Sequence, residues 1–231
     1  MEAGCHHIGV AVGAADVLGG GPQLGLAQQL AALVAADEGG EAAAAGGEVA
    51  GHLERFEDGD GAAELADGRL LVVWRGSTRG WDGTAATTPG CKFFSLSTDG
   101  GRTLVAPAPW MYSDGSSFYS PSSYHRFVRH GGTGKLYWLG NIAADAPEGN
   151  SPRYPLVIAE IDEAAAAPRR DTVTAIDDRQ PGQGDIQFSN FSLFEDRQTR
   201  ELLLHLTTYG QEPDPRDWAT AENYRYALTL W

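Results

Sequence analysis

The sequence predicts an all-β chain, folded as a partial propeller of about three four-stranded blades behind an Ala/Gly-rich N-terminal leader. Three observations carry this expectation. Short apolar segments bounded by turn residues recur after position 60. Three of them begin at Leu70, Leu136 and Leu202, which are 66 residues apart each time. One intervening turn, Ser97-Thr98-Asp99-Gly100-Gly101-Arg102-Thr103-Leu104, combines glycines with short polar side chains able to bond their own backbone.

The leader differs from the rest in composition. Residues 1–54 contain no Lys, no Arg and no Phe, Trp or Tyr, and 26 of them are Ala or Gly. Such a stretch has too few large apolar side chains to build a core. We therefore divide the chain into a weakly ordered leader, 1–55, and a β-domain, 56–231. One short amphipathic helix is predicted over Leu24 to Ala36, stopped by Gly39-Gly40. No basic residue precedes the leader's apolar stretch, which argues against a secretory signal.

The β-domain reads as strands at Leu70–Trp74, Lys92–Leu96, Leu136–Leu139, Leu156–Ile161 and Leu202–Leu206, with a further strand at Tyr226–Trp231. Ser120–His130 and Ser189–Phe194 read as alternating strands ahead of the second and third repeats. The expected turns include Asp67-Gly68, Gly76-Ser77, Gly131-Gly132, Gly140-Asn141 and Tyr209-Gly210. Ala164–Ala167 is too short for more than a turn or a helix stub. A repeated antiparallel unit indicates propeller blades, and a 66-residue period leaves long loops on one face. An antiparallel sandwich would alternate in the same way; the repeat favours the propeller.

Charge and cysteine content exclude several functions. With 17 Lys+Arg against 31 Asp+Glu the net charge is -14, the wrong sign for a phosphate-tracking nucleic-acid binder or an anionic membrane surface. Cys5 and Cys91 can form neither a disulfide framework nor a four-ligand zinc site alone. His6-His7 stands in a Gly/Ala context without converging ligands, and Gly19-Gly20-Gly21 lacks the strand that a dinucleotide loop requires. No metal and no cofactor is expected.

Beyond this turn, the segments Phe118–Ile142, Asn150–Glu163 and Gln187–Gly210 resemble the bacterial sialidase-like glycoside hydrolases of the neuraminidase superfamily, whose Asp-box repeat is S-x-D-x-G-x-T-W. The resemblance covers about residues 62–231. Ser97, Asp99, Gly101 and Thr103 match the box, with Leu104 in the usual Trp place. The resemblance implies a propeller of five or six blades, so the chain is expected to be the C-terminal part of a longer exo-acting enzyme. It implies a terminal sugar of a glycan as substrate. An open blade edge would favour self-association.

Blade geometry places Gly76–Lys92, Tyr119–His125, Gly140–Arg153, Gln187–Ser192 and Tyr209–Tyr224 on the face opposite the Asp99 turn. Asp99 is read as a structural staple and not as a catalytic acid, because its carboxylate is used up by bonds within its own turn. Sialidases clamp the substrate carboxylate with arginines, because a planar guanidinium gives bidentate, charge-assisted bonds. The resemblance points to Arg153, which precedes a strand as the family's third arginine does. Arg126 and Arg75 are further candidates, and His125 and Tyr209 are candidate sugar contacts. Retaining sialidases use a Tyr nucleophile activated by a Glu. Phe188 or Phe191 occupies the corresponding place here, which leaves Tyr119 as the candidate. Among the carboxylates, Asp177-Asp178 and Glu195-Asp196 read as turn residues; Glu160 is also available. A non-catalytic propeller module that binds carbohydrate or protein is the alternative.

Overall fold

The computed structural model describes residues 61–76, 90–208, 210 and 221–231. The leader helix expected over 24–36, the Gly76-Ser77 turn beyond Gly76, and Tyr209 lie outside the described residues. The described residues are all-β apart from one 3-10 turn at Arg170–Thr172.

Three antiparallel sheets follow one another along the chain. The first has the order β1-β2-β3-β4, with β1 Gly61–Glu64, β2 Leu70–Arg75, β3 Lys92–Ser97 and β4 Ala108–Pro109. The second runs β5 Arg126–Arg129, β6 Leu136–Asn141, β7 Leu156–Asp162 and β8 Ala167–Pro168, with β9 Thr174–Asp177 also on β7. The third is β10 Ser192–Glu195, β11 Leu202–Thr208 and β12 Glu222–Leu228. Leu70, Leu136 and Leu202 each open the second strand of their sheet. The 66-residue spacing is thus a spacing between equivalent strands.

Burial explains why the middle sheet reads as nearly continuous apolar sequence. Every residue of β6 is buried, because both of its faces are covered. Leu136 and Trp138 point into a core shared with Leu71, Val73, Trp110 and Phe118 of the first sheet and its exit. Tyr137 and Leu139 point the other way, into a core shared with Leu202, Leu204, Leu206 and Tyr226 of the third sheet. By contrast β11 alternates, with Leu202, Leu204 and Leu206 buried and His205 and Thr207 exposed. Trp110 is central to the first core. It stands edge-on to Phe118, Phe127 and Trp138, and its Nε1 donates to the Ala166 carbonyl at 2.9 Å.

Several element boundaries differ from expectation. Gly140-Asn141 continues β6 instead of turning, because a side chain at 140 would strike the Trp138 ring and only glycine lets the strand pass. Ser120–His130 holds only the four-residue β5; residues 120–125 form a loop with its own bonds, such as Ser120 Oγ to the Asn141 carbonyl at 2.7 Å. The third repeat begins at Ser192, and its last strand ends at Leu228 rather than Trp231. Asp177 and Glu195 close strands and link sheets. Tyr226 Oη donates to Asp177 at 2.6 Å, and Gly131 N donates to Glu195 at 2.6 Å.

At the end of the sheets holding the Asp99 turn, polar links join neighbouring sheets. Glu163 accepts from Ala66 N at 2.6 Å and from both terminal nitrogens of Arg129 at 2.9 and 2.8 Å. His130 Nε2 lies 2.6 Å from the Arg200 carbonyl, joining the second and third sheets.

Candidate functional site

The Asp99 turn and the long loops occupy opposite ends of the sheets, as follows from strand direction. Chain enters β3 at Lys92 and leaves it into the turn at Ser97; β6 runs from the turn at Lys135 to the loop after Asn141. In the turn, Asp99 accepts from Thr103 N at 2.9 Å, Thr103 Oγ1 at 2.7 Å and Ser97 Oγ at 2.7 Å. Ser97 Oγ in turn accepts from Gly101 N at 2.8 Å. Gly100 and Gly101 have φ of 75° and 90°, the left-handed region that glycine tolerates. The Thr103 hydroxyl, followed by its amide and the Ser97 hydroxyl, holds the Asp99 carboxyl at about 2. A carboxylate so engaged by its own turn has few lone pairs left for a substrate.

At the other end the loops bond to one another and form a rim. Ser120 N donates to the Gly90 carbonyl and Ser122 N to the Gly149 carbonyl, at 2.9 and 3.0 Å. Tyr119 pairs with Ala143, whose N donates to the Tyr119 carbonyl at 3.0 Å. Arg153 pairs with Gln187, and its carbonyl accepts from Phe188 N at 3.0 Å. Gly90, just ahead of β3, and the loops after β4, β6 and β9 therefore share one surface. Ser151 Oγ also reaches Asp185 at 3.3 Å, and Asp185 packs under Gly210.

The candidate residues fall into three positions. Tyr119 and Arg153 stand on the rim itself; Tyr119 is 45% exposed and Arg153 is half-buried, its Nε donating to the Asn150 carbonyl at 3.0 Å. Arg126 is exposed at the start of β5, and Arg75 is half-buried at the rim end of β2, in register with Lys92. His125 lies beneath the rim and not on it: it is 1% exposed and wedged against Gly61, Phe127 and Trp138. Burial, with the Lys92 charge second, holds its imidazole well below the usual range, although the Ser123 and Val73 backbones oppose this weakly. Its ring nitrogens nevertheless make no hydrogen bond of good geometry. A direct sugar contact by His125 would need the rim to open.

Tyr119 is the candidate nucleophile, yet no described carboxylate bonds its hydroxyl. The Tyr–carboxylate pairs among the described residues are Tyr226 with Asp177, where β9 ends, and Tyr224 with Glu222, where β12 begins. The Glu222 carboxylate pushes the Tyr224 phenol up to about 12, and burial followed by Asp177 raises that of Tyr226. In each pair the phenol donates to the carboxylate. Phe188 and Phe191 are buried in the core between the second and third sheets. Glu160 is engaged by Lys135 at 2.8 Å and sits toward the Asp99 end.

Sequence reasoning missed two residues that shape the rim. Lys92 is fully buried and its Nζ donates to the Pro121 and Ser123 carbonyls at 2.8 and 2.7 Å. The buried Asn141 side chain donates to the carbonyls of Arg153, Pro155 and Phe188 at 3.0, 3.2 and 3.0 Å. The Gly-Asn pair carries a turn signature, and that masked Asn141's role. Among the described residues no cluster of His, Cys, Asp or Glu could hold a metal ion, and no helix is long and apolar enough to cross a membrane.

No protein-family model and no curated protein matches this chain. Solved structures give loose overlaps. One, assigned as an exo-beta-1,3-galactanase from Bifidobacterium bifidum, is 14% identical with a TM-score of 0.36, over 75% of this chain and 51% of that one. Another, the GH93 alpha-L-arabinofuranosidase of Fusarium graminearum in complex with arabinobiose, is 15% identical with a TM-score of 0.37, over 74% of this chain and 44% of that one. The chain thus spans about half the length of each.

Proposed function

We propose that the three sheets are consecutive blades of a sialidase-like glycoside hydrolase propeller, and that the rim binds the terminal sugar of a glycan. The observation that supports this is the convergence of Gly90 and the loops after β4, β6 and β9 on the face opposite the Asp99 turn, with Arg153 anchored among them. A rim of polar loops on a rigid β scaffold is where binding is expected. In this reading Arg153 takes the sugar carboxylate as a bidentate donor, with Arg126 and Arg75 as supporting cations. Their placement in a chain of net charge -14 suits an anionic ligand that needs a local cationic field. Tyr119 is the exposed phenol of the same rim and the proposed nucleophile. Ser97, Asp99, Gly101 and Thr103 keep the box's structural role at the far end.

A second reading is a non-catalytic sugar-binding module. It is favoured by one observation: among the described residues no carboxylate reaches the Tyr119 hydroxyl to activate it. Binding of sialylated oligosaccharides, measured beside hydrolysis of a fluorogenic sialoside, separates the two. Turnover lost in Tyr119→Phe supports the enzyme; binding without turnover supports the module; neither would reject both.

A further inference from the structure

We infer that Asn141 is the positioning residue that sets the rim around Arg153. The inference deepens the sugar-binding reading of the rim and rests on it for its functional half. Asn141 is the last residue of β6 and is fully buried. Its backbone is fixed by the sheet, opposite Leu156 of β7. From that anchored position one amide side chain bonds three carbonyls on two different loops: Arg153 and Pro155 after β6, and Phe188 before β10. The Arg153 carbonyl is held twice, since Phe188 N donates to it as well. Arg153 Nε is tied back to the Asn150 carbonyl. The guanidinium thus projects from a backbone whose position the Asn141 amide determines.

The chemistry requires a donor here. Three carbonyl oxygens converge on one point, so the group facing them must be a donor, and the two amide hydrogens are shared among them. Aspartate would set a carboxylate against three oxygens. Alanine would take one of two donors from the Arg153 carbonyl and the side-chain donor from the Pro155 and Phe188 carbonyls, the last of which is buried, and folded chains avoid unpaired buried carbonyls. The Asn141 main-chain carbonyl does separate work: it accepts from Ser120 Oγ at 2.7 Å and so holds the loop that carries Tyr119. Replacing the side chain should therefore release the loops of Arg153 and Phe188 but leave the Tyr119 loop in place.

The test uses Asn141→Ala and Asn141→Asp in the full chain, with two readouts. Hydrogen exchange by mass spectrometry reads positioning without reference to any ligand. In Asn141→Ala, peptides spanning 150–156 and 187–191 should exchange about tenfold faster or more, while those spanning 119–123, 70–75 and 202–208 keep their protection. Faster exchange throughout the chain, or no change at 150–156 and 187–191, would overturn the inference. The second readout is binding of 3′-sialyllactose, per folded molecule, well below the unfolding temperature. Asn141→Ala should weaken it about tenfold, which is ~1.4 kcal/mol. Asn141→Ala/Arg153→Ala should bind no more weakly than Arg153→Ala alone. Unchanged affinity in Asn141→Ala, or losses that simply add in the double variant, would overturn the positioning role. If wild type binds no sialylated probe, the sugar reading fails, and the exchange experiment still decides whether Asn141 orders the two loops.

Discussion

Replacing Trp110 should cost more stability than any surface change in this molecule, and the structure gives the magnitude. The side chain is 1% exposed and packs edge-on against three aromatic rings with centroids 5.5 to 6.0 Å away. Its backbone N donates to the Lys92 carbonyl, and its indole to Ala166, a residue with no exposed surface. Trp110→Ala removes the whole ring and leaves a cavity between the first and second sheets. A buried Trp→Ala change costs about 3–5 kcal/mol. Trp110→Phe keeps most of the packing but strands the Ala166 carbonyl, at about 1–3 kcal/mol. Against a total stability of about 5–15 kcal/mol, the alanine variant should be marginal and the phenylalanine variant folded. Urea unfolding followed by far-UV circular dichroism measures both, with the slope checked for constancy. A loss below about 1 kcal/mol for Trp110→Ala, or equal losses for both variants, would refute the view that this ring closes the contact between the two sheets.

Three further outcomes are expected. The folded state holds His125 neutral, so the unfolded state binds more protons as pH falls below 6.5, its ordinary value. Stability should be full above that pH and decline below it, until the lowered folded pKa is reached. His125→Leu should flatten that decline in a pH series of thermal melts; an unchanged slope would count against a buried neutral imidazole. Asp99→Ala should lower the melting temperature and leave sugar affinity per folded molecule unchanged, because its bonds stay within its own turn; a parallel loss of affinity in a binding titration would contradict the assignment of faces. Glu163→Gln disrupts the bidentate contact with Arg129, whose side chain is 40% exposed against 20% for Glu163. Unfolding measurements should show a modest loss of about 1 kcal/mol, reduced by salt; Glu163 is depressed chiefly by Arg129, so its contribution exists above pH 4.5 and vanishes as pH falls through the folded value.

The three sheets were legible because equivalent strands carry equivalent apolar runs. Leu70, Leu136 and Leu202 announce them, and β6 lies buried on both faces where Leu136–Leu139 reads as unbroken apolar chain. Short strands were not legible. β1, β4, β8 and β9 have two to four residues each and pair only because a long neighbour presents an edge. At the site, the rim position of Arg153 followed from topology and resemblance. Asn141 and Lys92 did not, for a common reason. Local sequence assigns Gly-Asn to turns and lysine to surfaces, whereas both side chains are buried by carbonyls contributed from loops 12 to 47 residues away. His125 was placed with the loop it belongs to; only the packing of Gly61 and Gly140 against its ring puts it under the rim.

The most direct test of the rim as a sugar site is a binding titration of sialylated oligosaccharide against wild type, Arg153→Ala and Asp99→Ala, each quantified per folded molecule. Saturable binding by wild type is expected, weakened in Arg153→Ala by the worth of a charge-assisted bond, about 1.5–3 kcal/mol, and retained in Asp99→Ala. No binding by wild type, or equal binding by Arg153→Ala, would contradict the account.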